Sequence, residues 1–205
     1  MGSIITPPPV PLIASDYNAN YFDGGNTPHP AGYTSYRRTP IDYADENDPW
    51  KKEYFSREAK KVFDQFNLAG KRVLDLGCGK GFHTKTLRDL GADAWGVDWS
   101  AYAISHAEAE VSSHLIQTDV TTYVATQPNN SWDFVLGMRL LPCLPVLSLP
   151  AFILNIKRIA PKGYFTIDSI NTSAIYYNVQ IPANWQAQIN NPNYIVEEFQ
   201  STEHL

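Results

Sequence analysis

Residues 72–100, RVLDLGCGKGFHTKTLRDLGADAWGVDWS, leave few folds open to this chain. Val73, Leu74 and Leu76 form a short apolar run of the kind found in central parallel strands, which are buried on both faces. Gly77, Gly79 and Gly81 follow, and without a Cβ they permit a sharp turn and the close approach of a ligand. Residues 82–90 then predict a helix, with Gly91 as its C-terminal stop. A second strand is predicted over 94–97, with Asp98 at its carboxyl end, about twenty residues after the first glycine. An acid at that place is where the ribose of a nucleotide is held. The spacing, however, is G-x-G-x-G. Phe82 stands where a dinucleotide turn needs its third glycine, which counts against a bound pyrophosphate.

The rest of the chain extends this pattern. Asp48 and Pro49 predict a helix start, and Trp50, Tyr54, Phe55, Ala59, Val62, Phe63 and Phe66 recur at helical spacing up to a stop at Gly70. After Asp98, Ser100 caps a predicted helix over 101–110. Strands are predicted over 114–118, ending at Asp119, and over 132–137. Residues 138–149, with Pro142 and Pro145, read as a loop. A helix over 150–159, a turn at 161–163 and a strand over 164–170 follow. A short helix over 184–189 and a strand over 194–199 complete the series. Such alternation predicts an α/β fold with a doubly wound, mostly parallel sheet, whose ligand sits at the carboxyl ends of the strands.

Residues 1–47 differ in character and are read as a Pro/Tyr-rich arm or lid preceding a domain over 48–205. Pro7, Pro8, Pro9 and Pro11 favour an extended start. Tyr17, Tyr21, Phe22, Tyr33, Tyr36 and Tyr43 lie among glycines and prolines, an aromatic content that calls for a surface to pack on.

Composition narrows the function. With 205 residues, 43% hydrophobic and 13% aromatic, the chain can fill one core. Sixteen basic against 21 acidic side chains give a net charge of −5, and the basic residues cluster only as pairs, so nucleic-acid binding is not expected. Two cysteines without C-x-x-C spacing suggest reduced thiols, a cytoplasmic location and no metal site. There is neither a transmembrane run nor a signal-peptide pattern, so no membrane partner is expected.

The run Asp75-Leu76-Gly77-Cys78-Gly79-Lys80-Gly81 resembles motif I of the class I S-adenosylmethionine-dependent methyltransferases. GVDWS, QTDV, WDFVLGMRLL and IKRIAPKGYFTIDS resemble its later stations in order, so that the resemblance spans about residues 50–170. More loosely, YNANYFDGG and YTSYRR resemble N-terminal segments of small bacterial and phage members. The resemblance implies a Rossmann-like methyltransferase fold, S-adenosylmethionine as cofactor, and methyl transfer. By its pattern Asp75, Gly77, Cys78 and Gly79 lie beside the amino-acid and ribose parts of the cofactor. Asp98 takes the ribose hydroxyls and Trp99 flanks the adenine. Asp119 accepts from the adenine amino group beside the Val120 N–H, and Met138 lines the sulfonium side. An antiparallel hairpin closing the sheet is also implied, for which this chain has a shortened C-terminal end.

On the acceptor side, Arg139 at a strand end can hold a carboxylate or phosphate, or serve as an ordinary helix-face charge. Asp168 is a candidate base or turn cap, and Tyr21 and Tyr36 are candidates from the arm. Lys80 and His83, at the head of the glycine-loop helix, read as solvent-facing or turn-supporting. No catalytic base is identifiable. Gly137-Met138-Arg139-Leu140 stands where amino-group DNA methyltransferases carry N-P-P-Y, so a small-molecule acceptor is expected. The alternatives are a non-catalytic cofactor- or partner-binding module, a nicotinamide-dependent oxidoreductase, and an aminopropyl transferase on the same fold.

Overall fold

A computed structural model of the chain describes residues 13–23, 49–167 and 182–198. Tyr36, Asp168 and the cap residue Asp48 lie outside them. In chain order the elements are α1 (Ala19–Asp23), α2 (Pro49–Phe66), β1 (Arg72–Leu76), α3 (Phe82–Asp89), β2 (Asp93–Asp98), α4 (Ala101–Ser105) and α5 (Ala109–Ser112). There follow β3 (Leu115–Gln117), α6 (Val120–Thr126), β4 (Phe134–Met138), α7 (Leu149–Ile159), β5 (Gly163–Ile167), α8 (Pro182–Ile189) and β6 (Tyr194–Glu198).

The strands form one six-stranded sheet in the order β3-β2-β1-β4-β5-β6, with every pair parallel. Alternate residues of each strand feed opposite layers. Leu74, Leu76, Val135 and Phe165 face one apolar cluster with α6, α7 and α8, through Val124, Phe152, Ile156, Trp185 and Ile189. Val73, Phe134, Leu136 and Tyr164 face the other, with Ala59 and Val62 of α2 and Leu87 of α3. Burial on both faces explains why these strands read as near-continuous apolar runs. The order of strands reverses between β1 and β4, which is the switch point where such sheets bind ligands.

Two expectations are corrected, and one helix without a sequence signal is added. The helix expected over 101–110 is two short ones, α4 and α5. Ser105 Oγ donates to the Tyr102 carbonyl at 3.0 Å and His106 Nδ1 lies 2.8 Å from the same oxygen, local contacts that compete with helix propagation. Helix α6, in a β-branched segment that carries no helix signal, is started by Asp119. That carboxylate accepts the Thr122 N–H at 2.9 Å. The last strand also departs from the implied hairpin. α8 carries the chain back across the sheet, and β6 pairs parallel to β5 from Gly163↔Tyr194 to Ile167↔Glu198. Tyr194, fully buried, fixes this edge with its hydroxyl 2.7 Å from the carbonyls of Ile156 and Ala160 at the end of α7.

Among the described residues no helix is long and apolar enough to cross a membrane.

Candidate active site

The carboxyl ends of β1, β2 and β3 are tied together by backbone bonds. The N–H groups of Gly77 and Cys78 both donate to the Val97 carbonyl, at 2.8 and 3.1 Å, and the Gly81 N–H donates to the Cys78 carbonyl at 2.9 Å. On the β3 side, the Thr118 N–H donates to the Asp98 carbonyl at 2.9 Å, which sets Asp119 beside the end of β2.

Asp98 is 8% exposed and held from two sides. Its Oδ2 accepts the Gly79 N–H at 2.9 Å and its Oδ1 accepts the Ser100 N–H at 2.8 Å. Burial pushes its carboxyl above the usual 3.8, with a further push from Asp75, against the pull of these N–H groups. A carboxylate offers about four acceptor sites, so two remain for a ligand.

Asp75, 1% exposed, sits at the amino end of α3. Its Oδ2 accepts from Thr84 Oγ1 at 2.7 Å, and the Thr84 backbone N–H donates to the same carboxylate. Burial raises its carboxyl too, partly offset by His83 and Thr84. An internal acid therefore occupies the helix end where a dinucleotide fold places pyrophosphate.

The faces left open by the glycines are filled by protein. A Cβ on Gly79 would lie 3.4 Å from Phe22, and one on Gly81, whose φ is +81°, would lie 2.7 Å from Leu115 Cδ1. Gly81 thus provides the close packing of helix against strand, although its position in the motif differs from that of a dinucleotide turn. Cys78 points beneath the turn, packing with Val111 and Leu115. Its thiol is pushed well above 9.0 by burial, and by Asp98 and Asp75.

Asp119 caps α6 through one oxygen only. Its Oδ1 accepts from the Thr122 N–H and from Thr121 Oγ1, at 2.9 and 2.5 Å. Among the described residues Oδ2 accepts no hydrogen bond. Val120, as the first helical residue, has an N–H with no acceptor inside the helix. An acceptor and a donor therefore stand side by side at the end of β3.

Residues 13–23 lie over this half of the edge. Ser100 Oγ, fully buried, accepts the Ala103 N–H at 3.0 Å and donates to the Tyr17 carbonyl at 2.5 Å. Tyr17 is 5.2 Å from Trp99 and 4.7 Å from Tyr21 between ring centroids, and Phe22 stacks at 6.3 Å on Tyr102. Tyr21 thus belongs with Trp99 and Tyr102 at the β2 end. Sequence reasoning saw the aromatic run and the Ser100 cap separately. The contact joining them spans 83 positions and leaves no local signal.

Other candidates fall elsewhere. Lys80 is buried rather than solvent-facing, with Nζ 5.8 Å from the Tyr102 ring centroid. His83 is drawn into the contact between α2 and α3, its Nε2 3.0 Å from Glu58 Oε2 and its ring edge-on to Phe55. Met138 packs against the cluster beneath α2 and α3. Arg139 follows β4 directly, and its backbone N–H donates to the Thr166 carbonyl at 2.8 Å.

Comparison with known proteins bears on the family and the fold. A ubiquinone biosynthesis O-methyltransferase of Rhodopseudomonas palustris is 34% identical over 120 residues, covering 57% of this chain and 45% of that protein. A protein of the same name from Psychrobacter cryohalolentis is 29% identical over 136 residues, covering 62% of this chain and 51% of its own length. The chain spans about half the length of these curated relatives. A Pyrococcus horikoshii protein of known crystal structure superposes with a TM-score of 0.50 at 21% identity, covering 62% of this chain and 60% of the other, a likeness of fold. Residues 50–203 match a family described as a methyltransferase domain, and this chain belongs to that family.

Proposed function

We propose that the chain binds S-adenosylmethionine along the ends of β1, β2 and β3 and transfers its methyl group to a small-molecule acceptor. The observation that carries this reading over a dinucleotide is the state of the turn's donors. Gly77, Cys78, Gly79 and Gly81 all give their N–H groups to protein acceptors, and Asp75 takes Thr84 at the head of α3. A pyrophosphate needs such donors free. A cofactor with a sulfonium and an amino-acid tail does not.

The residues fit that cofactor. Asp98, fixed by two backbone donors, has acceptor sites left for two ribose hydroxyls. Asp119 Oδ2 and the Val120 N–H match the amino group and the ring nitrogen of adenine. Trp99 offers its apolar face beside them. Asp75 and the turn of Gly77, Cys78 and Gly79 border the amino-acid part, and Met138 lies on the β4 side. Residues 13–23 cap the cofactor half, latched by Ser100 to Tyr17.

When bound, the cofactor supplies a methyl group already activated on sulfur, so the protein's contribution is mainly proximity and alignment. The capped half of the edge also keeps water from the cofactor. The curated relatives' names point to an oxygen nucleophile on the acceptor. The acidic net charge fits an acceptor other than nucleic acid, and two cysteines that form no disulfide fit a reducing cytoplasm.

The test is turnover. S-adenosylhomocysteine should form from S-adenosylmethionine only when a member of a panel of hydroxylated small molecules is present. Saturable cofactor binding without turnover on any of them favours the non-catalytic reading.

A further inference from the structure

Residues 13–23 are seated on the two residues that hold Asp98. The Gly79 N–H donates to Asp98 Oδ2 at 2.9 Å, and Phe22 lies over the same glycine, its Cε1 3.4 Å from where a Cβ would be. The Ser100 N–H donates to Asp98 Oδ1 at 2.8 Å, and the Oγ of the same serine donates to the Tyr17 carbonyl at 2.5 Å. Each donor to the carboxylate thus has the segment at its back. Phe22 is buried and stacks on Tyr102 of α4, while Tyr17, also buried, packs on Trp99.

The two parts depend on one another. Gly79 has a φ of +56° and no side chain to restrain its peptide. Phe22 supplies that restraint from outside and keeps the Gly79 N–H on Asp98. The segment in turn needs its seat. α1 is five residues long and the 3-10 turn Ala14–Asp16 three, both too short to keep their backbone bonds alone. Within the segment the Asp16 N–H donates to the Ile13 carbonyl at 2.9 Å and the Phe22 N–H to the Asn18 carbonyl at 3.1 Å. Exchange of these amides with solvent therefore reports the segment leaving its seat.

We infer that Phe22 is a positioning residue for the cofactor site: with the Ser100–Tyr17 latch it fixes the donors that aim Asp98 at the ribose hydroxyls, and the cofactor in turn holds residues 13–23 closed. This rests on the S-adenosylmethionine reading above. The coupling is reciprocal, so the factor that closure adds to affinity is the factor that the cofactor adds to closure.

The test uses the full chain and S-adenosylhomocysteine. Hydrogen exchange of the wild type is read at the Asp16, Tyr17, Tyr21 and Phe22 amides, and saturating S-adenosylhomocysteine should slow it about tenfold, inside the range of about 5- to 150-fold for such couplings. In calorimetric titration Phe22→Ala should lose affinity by the same factor of about ten. Phe22→Leu, which keeps an apolar cover on Gly79, should stay within about twofold of the wild type. The 2′,3′-dideoxy analogue of S-adenosylhomocysteine lacks the hydroxyls assigned to Asp98, and Phe22→Ala should bind it as well as the wild type does. Exchange that is unchanged or faster with S-adenosylhomocysteine overturns the inference, as does an unchanged affinity in Phe22→Ala. An equal loss for both ligands also overturns it, and makes Phe22 a wall of the pocket. Failure of the wild type to bind S-adenosylhomocysteine at all is a distinct result, which removes the S-adenosylmethionine reading as well.

Discussion

Replacing Asp119 by asparagine separates two jobs that one carboxylate performs. The cap on α6 uses Oδ1 alone, for the Thr122 N–H and the Thr121 hydroxyl. Asparagine caps helices as well as aspartate does, so its amide oxygen takes over that position and the Tm should stay within about 2 °C. The amide nitrogen then falls where Oδ2 stood and presents a donor to the adenine amino group. The lost hydrogen bond to a charged acceptor is worth about 1.5–3 kcal/mol, or about 10- to 150-fold in affinity. Calorimetric titration with S-adenosylhomocysteine measures this directly. S-inosylhomocysteine, with a carbonyl in place of the amino group, supplies the control. The wild type should strongly prefer the adenosyl compound, and the variant should narrow that preference. An unchanged affinity in a variant that keeps its Tm would refute the placement of adenine at the end of β3.

Other consequences follow from the same contacts. Asp98→Ala should abolish detectable S-adenosylhomocysteine binding. It also orphans the Gly79 and Ser100 N–H groups, at about 1–3 kcal/mol each, so thermal melts should show a folded but less stable protein. Because burial raises the Asp98 carboxyl, affinity should fall on acidification with a midpoint above 3.8. Folding carries the opposite sign: the stability linked to this raised group is full below 3.8 and is lost as pH rises through its folded value, which a pH series of melts of the wild type and Asp98→Asn will show. Ser100→Gly keeps the Asp98 contact and most of the cap but cuts the latch to Tyr17, so stopped-flow measurements should show S-adenosylhomocysteine dissociating about 2- to 10-fold faster. Tyr194→Phe leaves the buried Ala160 carbonyl at the end of α7 without its donor, while the Ile156 carbonyl keeps the Ala160 N–H. It should cost about 1–3 kcal/mol in denaturant melts and leave cofactor affinity unchanged, because that helix end lies at the opposite edge of the sheet from Asp98.

How far each part could be read depends on how local its cause is. The segment from Arg72 to Ser100 was legible because glycines, an apolar run and a terminal acid are all close in sequence. α6 was not, since Val120-Thr121-Thr122-Tyr123-Val124 favours a strand by propensity. Its ends are settled by Asp119 and by Arg158, whose guanidinium donates to the Val124 and Gln127 carbonyls at 2.9 and 2.6 Å from another helix. The direction of β6 was equally hidden, because an alternating strand reads the same in a parallel or an antiparallel pair. The candidate site shows the same division. Asp98 and Asp119 stand at predictable strand ends. The donors that turn Asp98 inward and the Thr84 contact that fills the head of α3 come only with the folded chain.

The six parallel strands in the order 3-2-1-4-5-6 are also those of a dinucleotide fold, so the identity of the cofactor is the point on which everything else turns. The most direct measurement is a pair of calorimetric titrations of the wild-type chain, one with S-adenosylhomocysteine and one with NAD. Turn donors already taken by Val97, Asp98 and Cys78, with Asp75 at the head of α3, predict saturable one-to-one binding of S-adenosylhomocysteine and none of NAD. Saturable binding of NAD in its place would contradict the account.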